Sequence, residues 1–174
     1  FRRPPPLRPR ELARPAINRG ANLGDDVTYS GTVSATFEGV LLGIPSIAFS
    51  QQMEPGHSFD RSAAFAARLV EELLGGEVAS DLLLNVNFPA VEPDGVAFTR
   101  LGKRVYQQVV TEKLDPRGKR YFWIAGTPEW RDESGTDHRA IQDGQVSVTP
   151  LHLDLTDYRR LASDAALERL SGLQ

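Results

Sequence analysis

Cysteine is absent from this chain of 174 residues, and histidine occurs three times. The lack of cysteine excludes disulfide bonds, thiolate metal sites and a cysteine nucleophile. His57, His138 and His152 are far apart in the sequence and match no zinc-ligand spacing such as His-Glu-x-x-His. Any metal ion must therefore be bound by oxygen or imidazole groups, and we expect the three histidines to be surface or loop residues.

Long apolar runs and a strong charge imbalance are also absent. No segment approaches the roughly 18 to 20 apolar residues that a membrane-spanning helix needs, and no apolar region follows the N-terminal arginines as in a signal peptide. The 20 basic and 23 acidic side chains give a formal charge of −3, which provides no general attraction to nucleic acids. These properties predict a soluble cytoplasmic protein that binds neither membranes nor nucleic-acid duplexes.

Residues 1–15 differ in composition from the remainder of the chain. The prolines at positions 4, 5, 6, 9 and 15 remove backbone donors and restrict the torsions that helices and central strands need. We therefore expect a disordered or aberrant tail. Six arginines and one glutamate precede Gly20, but a nucleic-acid-binding arm is disfavoured because no aromatic residue beyond Phe1 is interleaved with them.

The next region begins with a glycine-punctuated segment, for which we expect a loop over residues 18–32. Val33 and Phe37 then recur at helical spacing, and Gly43 is a plausible end for this helix. The short apolar segment 46–50 is a strand candidate. The order is therefore loop, helix and strand.

A second helix is expected over residues 58–74, with Ser58 or Asp60 as its cap and Gly75 at its end. The continuous apolar run 82–89 predicts a strand that is buried on both faces. Helices that alternate with such strands predict an α/β layered core.

The last third of the chain is rich in β-forming residues. A turn-rich connection, LDPRGK, predicts a hairpin arm over 104–125. Its aromatic run 121–123 needs another surface to cover it on an arm, which favours self-association. Residues 145–156 are expected to form a strand, after which Asp157 can cap a C-terminal helix with the apolar residues Leu161, Ala165 or Ala166, and Leu170.

A candidate anion site lies where the first helix begins. Ser30, Gly31 and Thr32 precede Val33, so free backbone N–H groups, two hydroxyls and the positive helix end can bind a phosphate there. Asn18 and Asn22 add amide groups that can bind a hard cation or a phosphate. The alternative, in which these residues only cap the helix and the turns, stays open on these grounds.

Two common nucleotide-binding motifs are missing. The chain has no Gly-x4-Gly-Lys-Ser/Thr sequence, and no Gly-x-Gly-x-x-Gly follows a strand. Nucleoside triphosphates and dinucleotides are therefore disfavoured as ligands.

The segment 17–43 resembles the central signature of the SurE survival-protein family. It reads Ile-Asn-x-Gly-x-Asn-Leu-Gly-x-Asp-x-x-Tyr-Ser-Gly-Thr-Val, followed by Glu-Gly and Gly-Ile-Pro. Further similar segments follow in order, and the resemblance covers about residues 16–157. They are 84–89, 115–118 with 121–124, 135–137, and 146–151 with 154–156.

This resemblance implies a Rossmann-like α/β core, incomplete at its N-terminus, with a protruding β-hairpin arm and a C-terminal helix. Residues 16–174 would form this domain, and 104–125 would be the oligomerisation arm of a homodimer or homotetramer. The resemblance also implies a metal-dependent 5'-nucleotidase, which hydrolyses nucleoside monophosphates to nucleoside and phosphate with a divalent metal cation, Mg or Mn.

The resemblance also assigns roles to single residues. Asn18 is similar to the family's metal-binding asparagine. The phosphate-binding residues would be Asn22, Ser30, Gly31 and Thr32, of which Asn22, Ser30 and Thr32 are the candidate catalytic residues. In this mechanism the metal polarises the phosphoryl oxygen, and the helix start neutralises developing charge.

One family motif is not found. The metal-binding aspartates of this family belong to an Asn-Asp-Asp-Gly motif, which this sequence lacks, and we interpret Asp25 and Asp26 as loop or supporting residues instead. We therefore expect the chain to be a fragment that supplies the asparagine and phosphate-binding half of the site. The alternative is a non-catalytic remnant that binds a nucleotide or a partner.

Overall fold

The computed structural model describes residues 16–56, 58–106, 110–124, 128–165 and 169, so the predicted tail lies outside the described residues. The helices are α1 (Gly31–Leu41), α2 (Asp60–Leu74), α3 (Asp137–Gln142) and α4 (Tyr158–Ser163), and a 3₁₀-helix spans Gly24–Tyr29. The strands are β1 (Ile17–Arg19), β2 (Ser46–Gln51), β3 (Leu83–Phe88), β4 (Val96–Phe98), β5 (Arg104–Tyr106), β6 (Val110–Leu114), β7 (Arg120–Ile124), β8 (Pro128–Trp130) and β9 (Val146–Pro150).

Five of these strands form the central sheet, in the order β1-β2-β3-β9-β4. All neighbours are parallel except β3 and β9, which pair antiparallel. The helices α1 and α2 connect the parallel strands β1, β2 and β3. The predicted α/β core is thus confirmed. The expected loop over 18–32 is wrong at its start, because Asn18 and Arg19 pair with Ser50 and Gln51 as part of an edge strand.

The first predicted helix is confirmed as α1. Its N-cap is Ser30, and the chain turns away at Gly43, which has a φ of +76° that glycine adopts without strain. The N–H of Gly43 donates to the carbonyl of Val40 at 2.9 Å, as expected at a helix end.

The second helix starts two residues later than predicted. Phe59 occupies the N-cap position, and no side chain caps this end. Ser58 and Asp60 were therefore wrong as caps, because they lie on either side of the N-cap position. The Ser58 hydroxyl donates to the Asp60 carboxylate at 3.0 Å and accepts a long hydrogen bond from the Asp60 N–H at 3.4 Å. The end of α2 at Gly75 agrees with the prediction.

One face of the sheet is apolar, and α2 covers it. Phe49, Val86 and Phe88 are fully buried there, together with Val146 and Val148 of β9. The rings of Phe49 and Phe88 stack with centroids 6.2 Å apart, and the ring of Phe65 from α2 meets Phe88 edge-on at 5.6 Å. This face is the main hydrophobic core.

The opposite face of the same strands is polar although it is equally buried. Its members have 8% exposure or less, and they are Ser50, Asn85, Asn87, Thr99, Ser147 and Thr149. The predicted burial of β3 on both faces is confirmed, but one of these faces carries the polar side chains Asn85 and Asn87. A small second apolar cluster, Val27, Val33 and Ala48, seats α1 beside this polar face.

The predicted arm consists of two short ladders. At its base β5 pairs antiparallel with β8, and further along β6 pairs antiparallel with β7. The arm therefore extends past residue 125, where the prediction ended it. Exposed apolar side chains lie on the outer ladder, at Val110, Leu114, Tyr121 and Phe122.

The C-terminal elements are shorter than predicted. Strand β9 ends at Pro150, so the expected strand over 145–156 was too long. Asp157 caps α4 as predicted, because its side chain accepts a hydrogen bond from the Arg160 N–H at 3.0 Å. Ala166 and Leu170 lie outside the described residues. In the part of the chain that the structure describes, no helix has the length and apolarity for a membrane span.

Candidate functional site

Ser30 joins the 3₁₀-helix to α1, and its side chain caps α1. Its Oγ accepts a hydrogen bond from the Val33 N–H at 3.2 Å. The backbone of Ser30 is extended, with a φ of −80° and a ψ of 118°, which is usual for an N-cap. Because the oxygen acts as the acceptor in this bond, the hydroxyl hydrogen can be donated to a ligand.

Gly31 and Thr32 are the first two residues of α1. Helix geometry leaves their N–H groups without acceptors inside the helix, and the helix dipole places partial positive charge there. Gly31 is exposed, and a Cβ at this position would meet no atom within 4 Å. The space in front of the helix start is therefore open to an anion.

Asn22 is held by the polar face of the sheet. Its N–H donates to Oδ1 of Asn87 at 2.8 Å, and its carbonyl accepts from the side-chain amides of Asn85 at 2.9 Å and Asn87 at 3.0 Å. Its own side-chain amide donates to Oγ of Ser50 at 2.6 Å. Both backbone polar groups of Asn22 are thus bonded by buried side chains, which fixes the loop before the 3₁₀-helix.

Asn18 lies next to this cluster. In the register of the sheet it is the partner of Ser50, and Ser50 is in turn the partner of Asn87. Adjacent strands are about 4.8 Å apart, so these residues form one row across the sheet. The side-chain amide of Asn18 donates to the carbonyl of Gly20 at 2.8 Å. The structure therefore brings Asn18 and Asn22 together at Ser50.

Asp25 and Asp26 are engaged elsewhere. Asp25 accepts hydrogen bonds from Nζ of Lys103 at 2.9 Å and from the Arg104 N–H at 3.3 Å. Asp26 forms an ion pair with the guanidinium of Arg104. Both carboxylates join the 3₁₀-helix to the base of the arm, which agrees with their interpretation as supporting residues.

A buried carboxylate, that of Asp137, holds the other side of this segment. It is fully buried and accepts hydrogen bonds from the N–H groups of Gly24 at 2.7 Å, Gly102 at 2.8 Å and His138 at 2.7 Å. Burial raises the pKa of Asp137 above the ordinary 3.8, although the three N–H bonds act to lower it. A single side chain thus connects the 3₁₀-helix, the arm base and α3.

The neighbouring ring of His138 is half-buried rather than on the surface as expected. It stacks on Trp130 with ring centroids 4.3 Å apart and planes 8° apart. Burial lowers the pKa of His138, while the nearby charges of Asp137 and Asp132 act in the opposite direction. The guanidinium of Arg104 lies 5.5 Å from the Trp130 ring centre, so this stack packs the arm base against α3.

The residues that the structure describes do not make up a complete metal site. Among them, no three histidine, aspartate or glutamate side chains are grouped closely enough to hold a metal ion. With its amide nitrogen bonded to Gly20, Asn18 offers one neutral oxygen. Divalent magnesium or calcium takes six or more oxygen ligands and usually carboxylates among them. The described residues therefore supply only part of the ligand set that such a cation needs.

Several residues that support the site were not predicted from the sequence. Asn85 and Asn87 could have been found, because two amides that alternate within a buried apolar run must have hydrogen-bond partners. Ser50 and Asp137 gave no comparable signal, since a serine at a strand end and an aspartate at a helix start are common. The roles assigned to Asn18, Asn22, Ser30, Gly31 and Thr32 stay predictions.

Comparisons with known proteins agree with the resemblance noted above. The family model described as survival protein SurE matches residues 8–108. The 5'-nucleotidase SurE of Geobacter sulfurreducens is 50% identical over 151 residues, which are 84% of this chain and 58% of that protein. The 5'-nucleotidase SurE of Aquifex aeolicus is 46% identical over 162 residues, which are 91% of this chain and 64% of that protein.

A solved structure supports the same assignment. The crystal structure of the SurE protein from Aquifex aeolicus aligns with a TM-score of 0.74 at 44% sequence identity, covering 91% of this chain and 67% of that chain. The chain spans less than two thirds of the length of the two curated relatives. By the family model that matches more than half of its residues and by its fold, the chain belongs to the SurE survival-protein family.

Proposed function

We propose that this chain provides the phosphate-binding half of a metal-dependent 5'-nucleotidase, which hydrolyses nucleoside monophosphates to nucleosides and phosphate. The observation that carries the proposal is the open start of α1 with Ser30 as its cap, directly after a loop that buried amides hold in place. Relatives with 46% and 50% identity that are named 5'-nucleotidase SurE support the reaction.

The phosphate would be bound by donors from two places. At the start of α1 these are the N–H groups of Gly31 and Thr32 and the hydroxyls of Ser30 and Thr32. From the loop, Asn22 has a second amide hydrogen besides the one that it donates to Ser50. Hydrogen bonds to a charged group contribute about 1.5 to 3 kcal/mol each. These donors stabilise the charge on the phosphoryl oxygens while water attacks phosphorus and the ester bond to the nucleoside breaks.

The described residues provide only one ligand for the metal ion. We assign Mg²⁺ or Mn²⁺ to the complete site, with Oδ1 of Asn18 as one ligand, because the amide nitrogen of Asn18 is already bonded to Gly20. The described residues lack the carboxylates for the remaining positions, so no step of the reaction is derived through the cation.

Tyr29 supports a nucleotide over a simple phosphate ester. It precedes Ser30 in the chain, ends the 3₁₀-helix and is 89% exposed. An aromatic ring beside a phosphate site can stack on a nucleobase, which contributes about 1 to 3 kcal/mol in single-stranded nucleic-acid complexes. We assign Tyr29 to the base and Ser30 to the phosphate of the same ligand.

The arm is assigned to self-association into a homodimer or homotetramer. Its outer ladder exposes Val110, Leu114 and Phe122 by 60% or more, and such apolar surface is typical of a contact. Phe122→Glu should lower the molar mass of the assembly in analytical ultracentrifugation, whereas Glu112→Gln on the same ladder should not. An unchanged mass in the Phe122 variant would assign the contact to another surface.

Binding is the first test. Inorganic phosphate and adenosine monophosphate are titrated into the full chain in the presence of EDTA, and we expect binding in the millimolar range or tighter, which is about 4 kcal/mol. Thr32→Val removes one donor without changing the side-chain size and should weaken both ligands about fivefold or more. Thr111→Val on the arm is the matched control. No binding by the unaltered chain would contradict the proposal.

Hydrolysis is tested in a chimera. Residues 16–174 replace the matched part of the Aquifex aeolicus relative, and turnover of adenosine monophosphate is measured with Mn²⁺, Mg²⁺ or EDTA. We expect metal-dependent turnover that Asn18→Ala abolishes and that Thr32→Val reduces at least tenfold in kcat/KM. Binding without turnover in this folded chimera would overturn the nucleotidase and favour a non-catalytic nucleotide-binding protein.

A further inference from the structure

The carboxylate of Asp137 is fully buried and serves three chain segments at once. Its Oδ2 accepts from the N–H of Gly24, and its Oδ1 accepts from the N–H groups of Gly102 and His138. All three distances lie between 2.7 and 2.8 Å. Gly24 is 113 positions away in the sequence and Gly102 is 35. Thr136 is the N-cap of α3, so Asp137 is not needed to cap the helix. Its bonds to Gly24 and Gly102 join α3 to two other segments.

The contact at Gly24 leaves no room for adjustment. Gly24 has a φ of +54°, and a Cβ there would lie 2.7 Å from both the Gly102 carbonyl oxygen and the ring of Trp130. The backbone of Gly24 is thus packed directly against the arm base. Gly24 is itself buried, so its N–H depends on Asp137 for its hydrogen bond.

Gly24 is the first residue of the 3₁₀-helix that leads to the phosphate site. The rise of a 3₁₀-helix is about 2 Å per residue, so Gly24 lies about 12 Å along the chain from Ser30. Within this segment Val27 is buried, and its carbonyl accepts the N–H of Ser30 at 3.4 Å. A displacement of Gly24 would therefore be passed along a stiff, packed element to the cap of α1.

Two sets of hydrogen bonds hold the chain where it enters the 3₁₀-helix. Asn22 is bonded by Asn85 and Asn87 of the sheet, and Gly24 is bonded by Asp137. A hydrogen-bonded site must keep its donors within about 0.5 Å of the productive arrangement. Two anchors on different elements, two residues apart, set both the position and the direction of the chain that enters the 3₁₀-helix.

We infer that Asp137 is a positioning residue of the phosphate site: by binding the backbone of Gly24 and Gly102, it sets the 3₁₀-helix so that Ser30, Gly31 and Thr32 present their donors to the phosphoryl group. The inference rests on the proposed function. Asp137 itself touches no substrate in this arrangement, and its contribution is to the affinity of the folded protein for phosphate.

The test compares Asp137→Asn with a control of general destabilisation. Asn keeps the size of the side chain but turns an amide hydrogen toward a backbone N–H. Ala66→Gly weakens α2 on the opposite face of the sheet, where Ala66 is 2% exposed. For each full-length variant, the Kd for inorganic phosphate and for adenosine monophosphate is measured and referred to the folded fraction. Hydrogen exchange at the amides of Gly24 and Gly102 is measured in parallel.

Asp137→Asn should raise both Kd values about tenfold and speed exchange at Gly24 and Gly102, since small misplacements of binding groups are costly. Ala66→Gly should leave the Kd of the folded fraction and these two amides unchanged. Equal Kd values for folded Asp137→Asn and the unaltered chain would overturn the inference alone. Failure of the unaltered chain to bind phosphate would overturn the proposed function, and the inference with it.

A milder variant keeps the test decisive if Asp137→Asn does not fold. In Gly102→Ala the new Cβ would lie 3.1 Å from Oδ1 of Asp137, close enough to displace the carboxylate by a few tenths of an ångström. Gly102→Ala should raise the Kd for phosphate about threefold. Gly76→Ala, where a Cβ meets no atom within 4 Å, is the matched control. No difference between these two glycine variants would count against Asp137.

Discussion

The two faces of the central sheet are both buried but are built from opposite materials. On the face that α2 covers, Phe49, Val86 and Phe88 pack as an ordinary apolar core. On the other face Ser50 and Asn87 occupy neighbouring positions of the same strands and are equally inaccessible. Apolar burial is non-directional, whereas each buried amide or hydroxyl requires a partner in one direction. The apolar face therefore stabilises the sheet, and the polar face orients the segment that carries the candidate site.

The largest expected effect is on the apolar face. Phe88→Ala removes a ring that contacts both Phe49 and Phe65. Such a substitution typically lowers the free energy of unfolding by about 3 to 5 kcal/mol. Urea unfolding measures the loss. The Kd for phosphate, referred to the folded fraction, should not change, because Phe88 points away from the Asn22 loop. A weaker Kd in the folded variant would show that the two faces are not independent.

On the polar face, the comparison is between two asparagines of the same strand. Asn87 makes hydrogen bonds to both the N–H and the carbonyl of Asn22, whereas Asn85 bonds only to the carbonyl. The Oδ1 of Asn85 has no hydrogen-bond partner among the described residues. Asn87→Leu leaves the Asn22 N–H without its acceptor and should cost about 2 to 3 kcal/mol. Asn85→Leu also removes an unsatisfied oxygen and should cost less than about 1 kcal/mol.

Affinity for phosphate should follow the same order. Asn87→Leu frees the loop and should weaken binding by the folded protein, while Asn85→Leu should change it little. Urea unfolding and phosphate titration of both variants measure the difference. If Asn85→Leu lowered stability and phosphate affinity as much as Asn87→Leu, the number of hydrogen bonds that each asparagine makes to Asn22 would not determine these effects.

These contrasts also explain what the sequence could predict. The elements of the core were found because periodic apolar residues and glycine stops act locally, as at Val33 and Gly43 in α1. The start of α1 could be proposed as an anion site because Ser30 and its neighbours are adjacent in the chain, and that role stays a prediction. The supports could not be found in this way. Asp137 acts on Gly24 across 113 positions, and only the folded chain brings them together.

Boundaries failed for physical reasons as well. Asn18 was expected in a loop, but pairing with Ser50 makes it part of an edge strand, and pairing over three residues leaves no periodic pattern to read. The strand predicted over 145–156 was too long, because the apolar pattern continues past Pro150 whereas the pairing with β3 ends there.

A smaller effect is expected at the helix cap above the polar face. Ser30→Ala removes the acceptor of the Val33 N–H and should cost about 1 kcal/mol of unfolding free energy, as is usual for an N-cap. It should also weaken phosphate binding, because the hydroxyl is one of the proposed donors. Ser34→Ala, one turn later and exposed, is the matched control and should be neutral or slightly stabilising. Equal phosphate affinity of the two variants would remove Ser30 from the site.

The smallest effect concerns the balance between burial and hydrogen bonding at Asp137. Burial raises its pKa above 3.8 in the folded protein, so the folded state binds the proton more tightly than the unfolded state does. Stability from this group is then fully present below about pH 3.8, the unfolded value, and is lost as the pH rises through the folded pKa. The unfolding free energy of the unaltered chain relative to Asp137→Asn should therefore fall as the pH rises from 3.8. Urea unfolding at several pH values measures this difference, and Phe88→Ala, which retains Asp137, should run parallel to the unaltered chain. A difference that grows with pH would mean that the three N–H bonds outweigh burial, and the N–H groups of Gly24, Gly102 and His138 would then hold Asp137 by charge as well as by geometry.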